Sequence, residues 1–212
     1  MKQSKYFFVI SICLFTLCLN ACDKDESLVE TNIINGHEWV DLELSVKWGT
    51  CNVGAISPEE YGSYFAWGEI EPKSIYTREN SKTYGKEIYF IEGDPTRDAA
   101  TATWGEGWRM PTKDEMQELI NCCKWEWIAQ PGKKGYKITS KKNGNSIFLP
   151  AAGYYSKKFL KDTDTFCYYW TSTPVYNSLR QYNAYYFFNC WGYPTINDSD
   201  RYYGLCIRPV VK

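Results

Sequence analysis

Residues 112–149 read TKDEMQELINCCKWEWIAQPGKKGYKITSKKNGNSIFL, and this stretch holds the clearest change from a helical to a strand pattern. In its first part Thr112 is followed three residues later by Glu115, which is the spacing of a helix capping box. Apolar side chains then recur at helical spacing and form one stripe, which consists of Met116, Leu119, Ile120 and Cys123. The pattern predicts an amphipathic helix that begins at Thr112.

The second part of the stretch predicts a β-hairpin. Residues 136–140 and 146–149 have strand character and enclose Asn143-Gly144, a dipeptide typical of tight turns between antiparallel strands. Similar runs predict further strands, which lie at residues 167–171, 184–189 and 205–210.

The preceding part of the chain combines one strand with two helix starts. Residues 40–48 alternate apolar and polar side chains and predict a half-buried strand, or two short strands if the chain bends at Leu44-Ser45. Residues 57–60 (SPEE) predict a short helix, and Asp94-Pro95 precedes a second helix at residues 97–103. Helices early and strands late indicate an α+β fold with a mostly antiparallel sheet.

The N-terminus indicates export. Lys2 and Lys5 precede residues 6–19, a run of fourteen residues without charge. A membrane-spanning helix needs about 20 apolar residues, whereas a shorter run suits the core of a signal peptide. Residues 1–21 are therefore assigned to a signal peptide.

Residues 19–22 (LNAC) resemble the bacterial lipobox, in which the cysteine is acylated and becomes the mature N-terminus. The resemblance makes Cys22 the lipidation site and residues 22–36 a lipidated tether to a domain at residues 37–212. The alternative is ordinary cleavage near Ala21, with Cys22 a plain thiol. Residues 23–26 (DKDE) look like the surface-export signal of Bacteroidota lipoproteins, although a solvated tail has the same composition. We expect a protein that is lipid-anchored to the outer membrane and exposed at the cell surface.

Charge and catalytic motifs exclude several function classes. The chain has 24 Lys and Arg against 25 Asp and Glu, a formal charge of -1, which does not provide a basic surface for nucleic acid. His37 is the only histidine, and neither a G-x-S-x-G motif nor a glycine-rich phosphate loop occurs. We expect no enzyme, because nucleophilic catalysis needs a nucleophile beside a base.

The cysteines leave two alternatives open. An exported chain meets an oxidising compartment, and Cys51 with Cys123 is a possible disulfide. Equally, these thiols remain free and pack as small apolar side chains. The sequence has no C-x-x-C and no paired histidines, so no metal site and no cofactor are expected.

The C-terminal part of the chain is unusually aromatic. Between Phe166 and Tyr203 it holds nine of the 18 tyrosines, and lysine is absent from residues 162–211. Tyrosine in loops without lysine is typical of recognition surfaces, although alternation places Tyr169, Tyr185 and Phe187 in the core. The candidate ligand-binding residues on the loops are Tyr176, Tyr182, Trp191, Tyr193 and Tyr202.

Short blocks of sequence carry a resemblance to a family. They are VDLELSVKW (40–48), CNVGA (51–55), FAWGE (65–69), DAA (98–100), WRMPT (108–112), FLPAAG (148–153), YWTST (169–173) and IRPV (207–210). In this order they closely resemble the Fibrobacter succinogenes major paralogous domain family, surface lipoproteins and secreted proteins common in gut Bacteroidota. The resemblance spans residues 38–210.

The resemblance implies a C-type-lectin-like fold related to the formylglycine-generating enzymes, with two main helices, long loops and paired N- and C-terminal strands. The chain departs from the calcium-binding lectins at residues 71–73 (EPK), because Lys73 would repel the calcium ion. Cys190 and Cys206 lie near the positions of the oxidase cysteines, but their surroundings do not match.

We therefore expect a non-catalytic surface module whose partners are the membrane, through its lipid anchor, and a protein or glycan ligand. A structural or adhesin subunit of a surface assembly is the alternative. An oxidoreductase related to the formylglycine enzymes is the third interpretation.

Overall fold

The computed structural model describes residues 32–177 and 182–212. The predicted signal peptide, the predicted lipidation site Cys22 and the tether as far as residue 31 lie outside the described residues. The last part of the predicted tether is folded, because Ile33–Ile34 form a strand, so the described domain begins at Asn32 rather than at His37.

The described residues form a sheet-rich α+β domain with two helices and twelve strands. The helices are α1 (Ala99–Trp104) and α2 (Lys113–Cys122). The strands are β1 (Ile33–Ile34), β2 (His37–Val40), β3 (Lys47–Gly49), β4 (Cys123–Gln130), β5 (Lys133–Ser140), β6 (Ser146–Pro150), β7 (Tyr154–Ser156), β8 (Phe159–Lys161), β9 (Cys167–Pro174), β10 (Asn183–Cys190), β11 (Tyr193–Asp200) and β12 (Val210–Val211). All pairings between these strands are antiparallel.

The first sheet joins the two ends of the domain in the order β1-β2-β3-β12. Val210 lies opposite Trp48, so the predicted pairing of early and late strands is confirmed. The predicted strand at residues 40–48 is interrupted, as its alternative anticipated: it forms the end of β2 and the start of β3, joined by a loop in which Glu43 has a φ of 51°. Leu42 in that loop is still completely buried.

The second sheet has the order β4-β5-β6. The predicted hairpin is confirmed, since Ile138 of β5 lies opposite Ile147 of β6. Strand β4 was not predicted; it follows α2 without a connecting loop and pairs with β5 over eight residues. The buried Cys123, expected on the helical stripe, is the first residue of this strand and the C-cap of α2.

The third sheet has the order β11-β10-β9, and β7 and β8 form a separate two-stranded sheet. The predicted strands at residues 167–171 and 184–189 are confirmed within β9 and β10. Strand β11 was not predicted, because its sequence YPTINDSD contains few apolar residues. The predicted strand at 205–210 is wrong over most of its length: Leu205 and Cys206 make single bridges, to Phe65 and Tyr169.

Local caps define both helices. Thr112 caps α2 and forms the reciprocal capping box with Glu115, which confirms the predicted start. Helix α1 confirms the helix predicted at residues 97–103, but it begins at Ala99, because Asp98 is its N-cap. The Asp98 carboxylate accepts hydrogen bonds from the backbone of Ala100 and Thr101. The helix predicted at residues 57–60 is wrong. There the Glu60 carboxylate bonds to the backbone of Ile56, but Gly62, at a φ of 73°, turns the chain away before a helical turn repeats.

Buried tryptophans dominate the core. Trp48, Trp67, Trp108 and Trp170 are all at most 1% exposed. Fully burying one large apolar side chain contributes roughly 1.5–3 kcal/mol, so such rings supply much of the driving force for folding. None of the helices in residues 32–177 and 182–212 has the length and apolar character needed to cross a bilayer.

The completely buried Arg208 links distant segments of the core. Its Nε donates to Oδ1 of Asn52 at 2.9 Å, and Nη2 donates to the carbonyl of Phe148 at 2.9 Å. Its Nη1 donates to the carbonyls of Gly49 and Thr50. The guanidinium is thus held by neutral oxygens from the end of β3, the loop after it and β6.

The predicted disulfide between Cys51 and Cys123 is not formed. Both are free thiols, and they belong to different apolar clusters: Cys123 lies in the main core, whereas Cys51 packs beside Trp104 and Trp108. Because the two thiols pack in separate clusters, they do not form a pair. The alternative, a thiol that packs as a small apolar side chain, describes the buried Cys123.

Candidate functional site

The turn between β10 and β11 exposes two large aromatic side chains. Trp191 and Tyr193 flank Gly192, and their side chains are 77% and 79% exposed. The turn has only two residues, Trp191 and Gly192, because Cys190 pairs directly with Tyr193.

Trp191 has a backbone conformation that its side chain disfavours. The φ angles of Trp191 and Gly192 are 54° and 83°, and a two-residue turn with two positive φ angles is normally built from Asn-Gly. A bulky residue in this region costs about 1–3 kcal/mol, and such strain concentrates at functional sites. The backbone conformation at this position therefore favours asparagine or glycine over tryptophan.

A wall of aromatic rings stands on β4 and β5. Trp125 and Trp127 are two residues apart on a strand, so their side chains share one face. Tyr136 lies opposite Trp127, with 5.0 Å between the ring centroids. Behind this wall Trp125 stacks on Phe187 of β10 at 5.1 Å. The wall is thereby fixed to the buried core.

A hydrogen bond connects the wall to the turn. The backbone N–H of Gly192 donates to the hydroxyl of Tyr136 at 2.7 Å. On its other side Trp191 makes an edge contact with Phe166, with 5.9 Å between the ring centroids. The turn is therefore held in place on two sides.

The loop between β8 and β9 supplies polar groups. Its Asp164 accepts hydrogen bonds from the hydroxyl of Tyr61 at 2.5 Å and from the Nζ of Lys134 at 3.0 Å. These two donors hold the pKa of Asp164 below its ordinary value, so its carboxylate is ionised and paired at neutral pH. Desolvation, together with the neighbouring Asp164 carboxylate, raises the pKa of Tyr61, which therefore remains a hydrogen-bond donor.

Together these elements form a cleft of about 410 Å³, here called the tryptophan cleft. It is lined by Trp125, Trp127, Tyr136, Asp164, Thr165 and Trp191, with Gly192 at its edge. Ligand pockets in proteins usually have volumes of about 300–1,000 Å³, with apolar walls and a few polar groups. The cleft has this composition.

The structure separates the five predicted ligand-binding residues into three places. Trp191 lines the tryptophan cleft, and Tyr193 lies beside it at the start of β11. Tyr182 and Tyr202 are half-buried, and both pack on Tyr84 at about 5 Å. The exposed Tyr176 stacks on Tyr89 and donates its hydroxyl to the Tyr89 carbonyl. Of the five, Trp191 alone lines the cleft.

Sequence reasoning missed the aromatic wall. The motif Trp125-Glu126-Trp127 carries a signal, since two tryptophans separated by one charged residue share a face only in a strand. The residues expected in the core behave as predicted in two cases, because Tyr169 and Phe187 are completely buried, while Tyr185 is half-buried.

Two buried thiols, Cys167 and Cys206, lie in the main core. Burial raises the pKa of Cys167 and Cys206, so both thiols are protonated at neutral pH. In residues 32–177 and 182–212, no three His, Cys, Asp or Glu side chains come together in a group that could hold a metal ion.

Comparison of the chain with protein-family models, with curated proteins and with solved structures gave no match. The site is therefore interpreted from its own geometry.

Proposed function

We propose that this chain is a non-catalytic binding module, lipid-anchored through Cys22 at the outer membrane and exposed at the cell surface. In this proposal a C-type-lectin-like scaffold presents the tip of the β10–β11 hairpin and the tryptophan cleft to a protein or glycan ligand.

The observation that carries the proposal is Trp191. Its ring is 77% exposed, and its backbone lies in a region where asparagine or glycine would fold more easily. Large apolar side chains at such exposed tips act as anchors in interfaces, because they bury much area at little entropic cost. A role in recognition would account for an exposed tryptophan that the backbone conformation disfavours.

Several features support the scaffold and the location. The paired β3 and β12, the two helices and the largely irregular chain between β3 and α1 suit a lectin-like scaffold. The sequence LNAC at residues 19–22 supports acylation of Cys22. Acyl chains on one cysteine provide the multiple hydrophobic signals that stable anchoring needs.

Binding is tested with the full chain purified in detergent and applied to arrays of glycans and extracellular proteins. Trp191→Asn should abolish retention while circular dichroism and the free energy of unfolding show an intact fold. The matched control is Phe159→Ala, which removes a 56% exposed ring on β8 outside the cleft and should leave retention unchanged.

Two results would contradict the proposal. If Trp191→Asn is retained as well as the wild type, the hairpin tip is not the binding surface. If the chain is retained only by immobilised copies of itself, the structural-subunit interpretation replaces the proposal.

Anchoring is tested separately by expressing the Cys22→Ser variant in the bacterium that produces the protein. Membrane fractions should lose the protein, and the soluble fraction should gain it. A variant that stays with the membranes would show that Cys22 does not carry the anchor.

A further inference from the structure

The walls of the tryptophan cleft suit a ligand with a flat apolar face. Trp127 is 39% exposed and Trp191 is 77% exposed, so both rings offer accessible surface. The Trp127 and Tyr136 planes are inclined at 63°, so the wall is angular and not a single flat platform. Aromatic faces of this kind can pack against the apolar surface of a ligand.

The polar edge of the cleft carries no uncompensated charge. The Asp164 carboxylate forms an ion pair with Lys134 at 3.0 Å. The next lysine, Lys133, forms an ion pair with Glu59 at 2.8 Å. A cationic ligand would find the carboxylate already neutralised, and an anionic ligand would find the nearest ammonium groups already paired.

Both members of the central pair still offer hydrogen bonds to a neutral ligand. The side chains of Asp164 and Lys134 are 48% and 42% exposed, so neither is closed off by the pair. A carboxylate accepts at several positions and an ammonium donates three hydrogen bonds, and Thr165 adds a hydroxyl. Hydroxyl groups of a ligand can form hydrogen bonds with the Asp164 carboxylate, the Lys134 ammonium and the Thr165 hydroxyl.

The cleft is also largely preorganised. The turn is fixed by the hydrogen bond from Gly192 to Tyr136, and Trp125 is fixed on Phe187. Rigid walls lower the entropic cost of binding a small ligand.

From these observations we propose that the tryptophan cleft binds a neutral saccharide, whose C–H face stacks on Trp127 and Trp191 while its hydroxyls bond to Asp164 and Thr165 in the cleft and to Lys134 beside it. This inference rests on the proposed function and narrows it from a protein or glycan to an uncharged sugar. An apolar peptide side chain would contact the aromatic walls but would use none of the hydrogen-bonding groups at the polar edge.

The test is calorimetric titration of the full chain in detergent with three kinds of probe. The neutral probes are oligosaccharides of glucose, mannose and galactose, the anionic probe is sialyllactose, and the cationic probe is choline. At least one neutral oligosaccharide should bind, with an affinity that is nearly independent of salt. Sialyllactose should bind no better than its neutral core, and choline should not bind.

Variants then locate the site. Trp127→Ala and Trp191→Asn should each weaken binding of the neutral oligosaccharide roughly tenfold, equivalent to about 1.4 kcal/mol. Phe159→Ala should have no effect. Lys134→Met leaves the Asp164 charge unpaired, so it should weaken saccharide binding and create measurable choline binding.

The outcomes separate this inference from the proposed function. If no neutral oligosaccharide binds, while Trp191→Asn still abolishes retention on an arrayed protein, the saccharide inference is overturned and the binding module remains. Wild-type binding of choline, or steep salt dependence, would also overturn it. If no array retains the chain at all, the proposed function fails as well.

Discussion

His37 stacks face to face on Trp104, with 3.9 Å between the ring centroids and 4° between the ring planes. The edge of Trp108 approaches the same imidazole at 6.4 Å. The only histidine of the chain is therefore a half-buried part of the aromatic packing between β2 and α1. Burial lowers its pKa from the ordinary value of 6.5, because the charged form loses hydration.

The lowered pKa of His37 predicts loss of stability in mild acid. The unfolded chain binds a proton at His37 more readily than the folded chain does. The stability contributed by the neutral imidazole is therefore complete above pH 6.5 and is lost as the pH falls through the lower, folded-state pKa. Urea unfolding across the range of about pH 5–8 should show the free energy of unfolding decreasing on acidification. His37→Phe keeps an aromatic ring on Trp104 and should flatten the upper part of this profile. An unchanged slope would contradict the assignment.

The ion pair of Arg109 with Glu115 predicts a second acid transition. Burial alone would raise the pKa of Glu115, but the Arg109 guanidinium, 2.5 Å away, and the N–H of Thr112 hold it below 4.5. This stabilisation is present above about pH 4.5 and is lost as the pH falls through the folded-state pKa. At pH 7, Glu115→Gln should cost about 1.5–3 kcal/mol of unfolding free energy, as expected for hydrogen bonds to charged groups.

The difference between the wild type and Glu115→Gln should shrink as the pH falls below about 4.5. Glu118→Gln on the same helix is the control, because its carboxylate bonds to Ser45 and not to an arginine. An equal loss at every pH would show that Glu115 stabilises the fold only through the helix cap.

The contacts of Arg208 predict that lysine, which keeps the charge but not the shape of the guanidinium, cannot maintain the stability of the fold. Its three nitrogens reach four oxygens from separate segments, and the compact ammonium of lysine cannot span them. Arg208→Lys should cost about 2–4 kcal/mol in a urea unfolding experiment, because buried carbonyls lose their partners. Arg97→Lys, at a partly exposed arginine, should stay within about 0.5 kcal/mol of the wild type. Similar losses in the two variants would contradict the linking role of Arg208.

The strained turn predicts that the substitution proposed to weaken binding, Trp191→Asn, also stabilises the fold. Trp191→Asn should raise the free energy of unfolding by about 1 kcal/mol, because asparagine adopts positive φ far more easily than tryptophan. Trp191→Ala removes the ring without relieving the backbone and should not stabilise the fold. Thermal and urea unfolding of both variants gives the comparison, and a loss of stability in Trp191→Asn would show that the ring packs more than its exposure indicates.

Locally encoded elements were predictable from the sequence. Thr112 and Glu115 lie within one helical turn, so α2 could be located from its capping box. The hairpin of β5 and β6 follows from alternation around a short turn, which is also a local signal. The segment at 57–60 had the same local signal as a helix start, but the turn at Gly62 takes the chain elsewhere, and tertiary contacts decided the outcome.

The site itself was less predictable. Strand β4 follows α2 without a break, so the boundary at Cys123 has no turn residue to mark it. Strand β11 contains few apolar residues and therefore had no clear strand pattern, although its partner β10 was predicted. The cleft joins β4, β5, the Asp164 loop and the Trp191 turn, which are far apart in sequence and meet only in the folded domain. Composition could identify Trp191 but not the surface opposite it.

The eight-residue ladder between β10 and β11 ends in a tip that takes no part in it. The rungs below the tip set the register, so the side chain at residue 191 can be exchanged with little effect on the rest of the domain, whereas Gly192 keeps the positive φ of the turn. Libraries at residue 191, extended to the exposed Tyr193 on the first rung, would vary the outward side chains on an unchanged framework. Under the proposed binding function, the hairpin would serve as a scaffold for directed evolution, because a change of side chain at its tip leaves the framework in place.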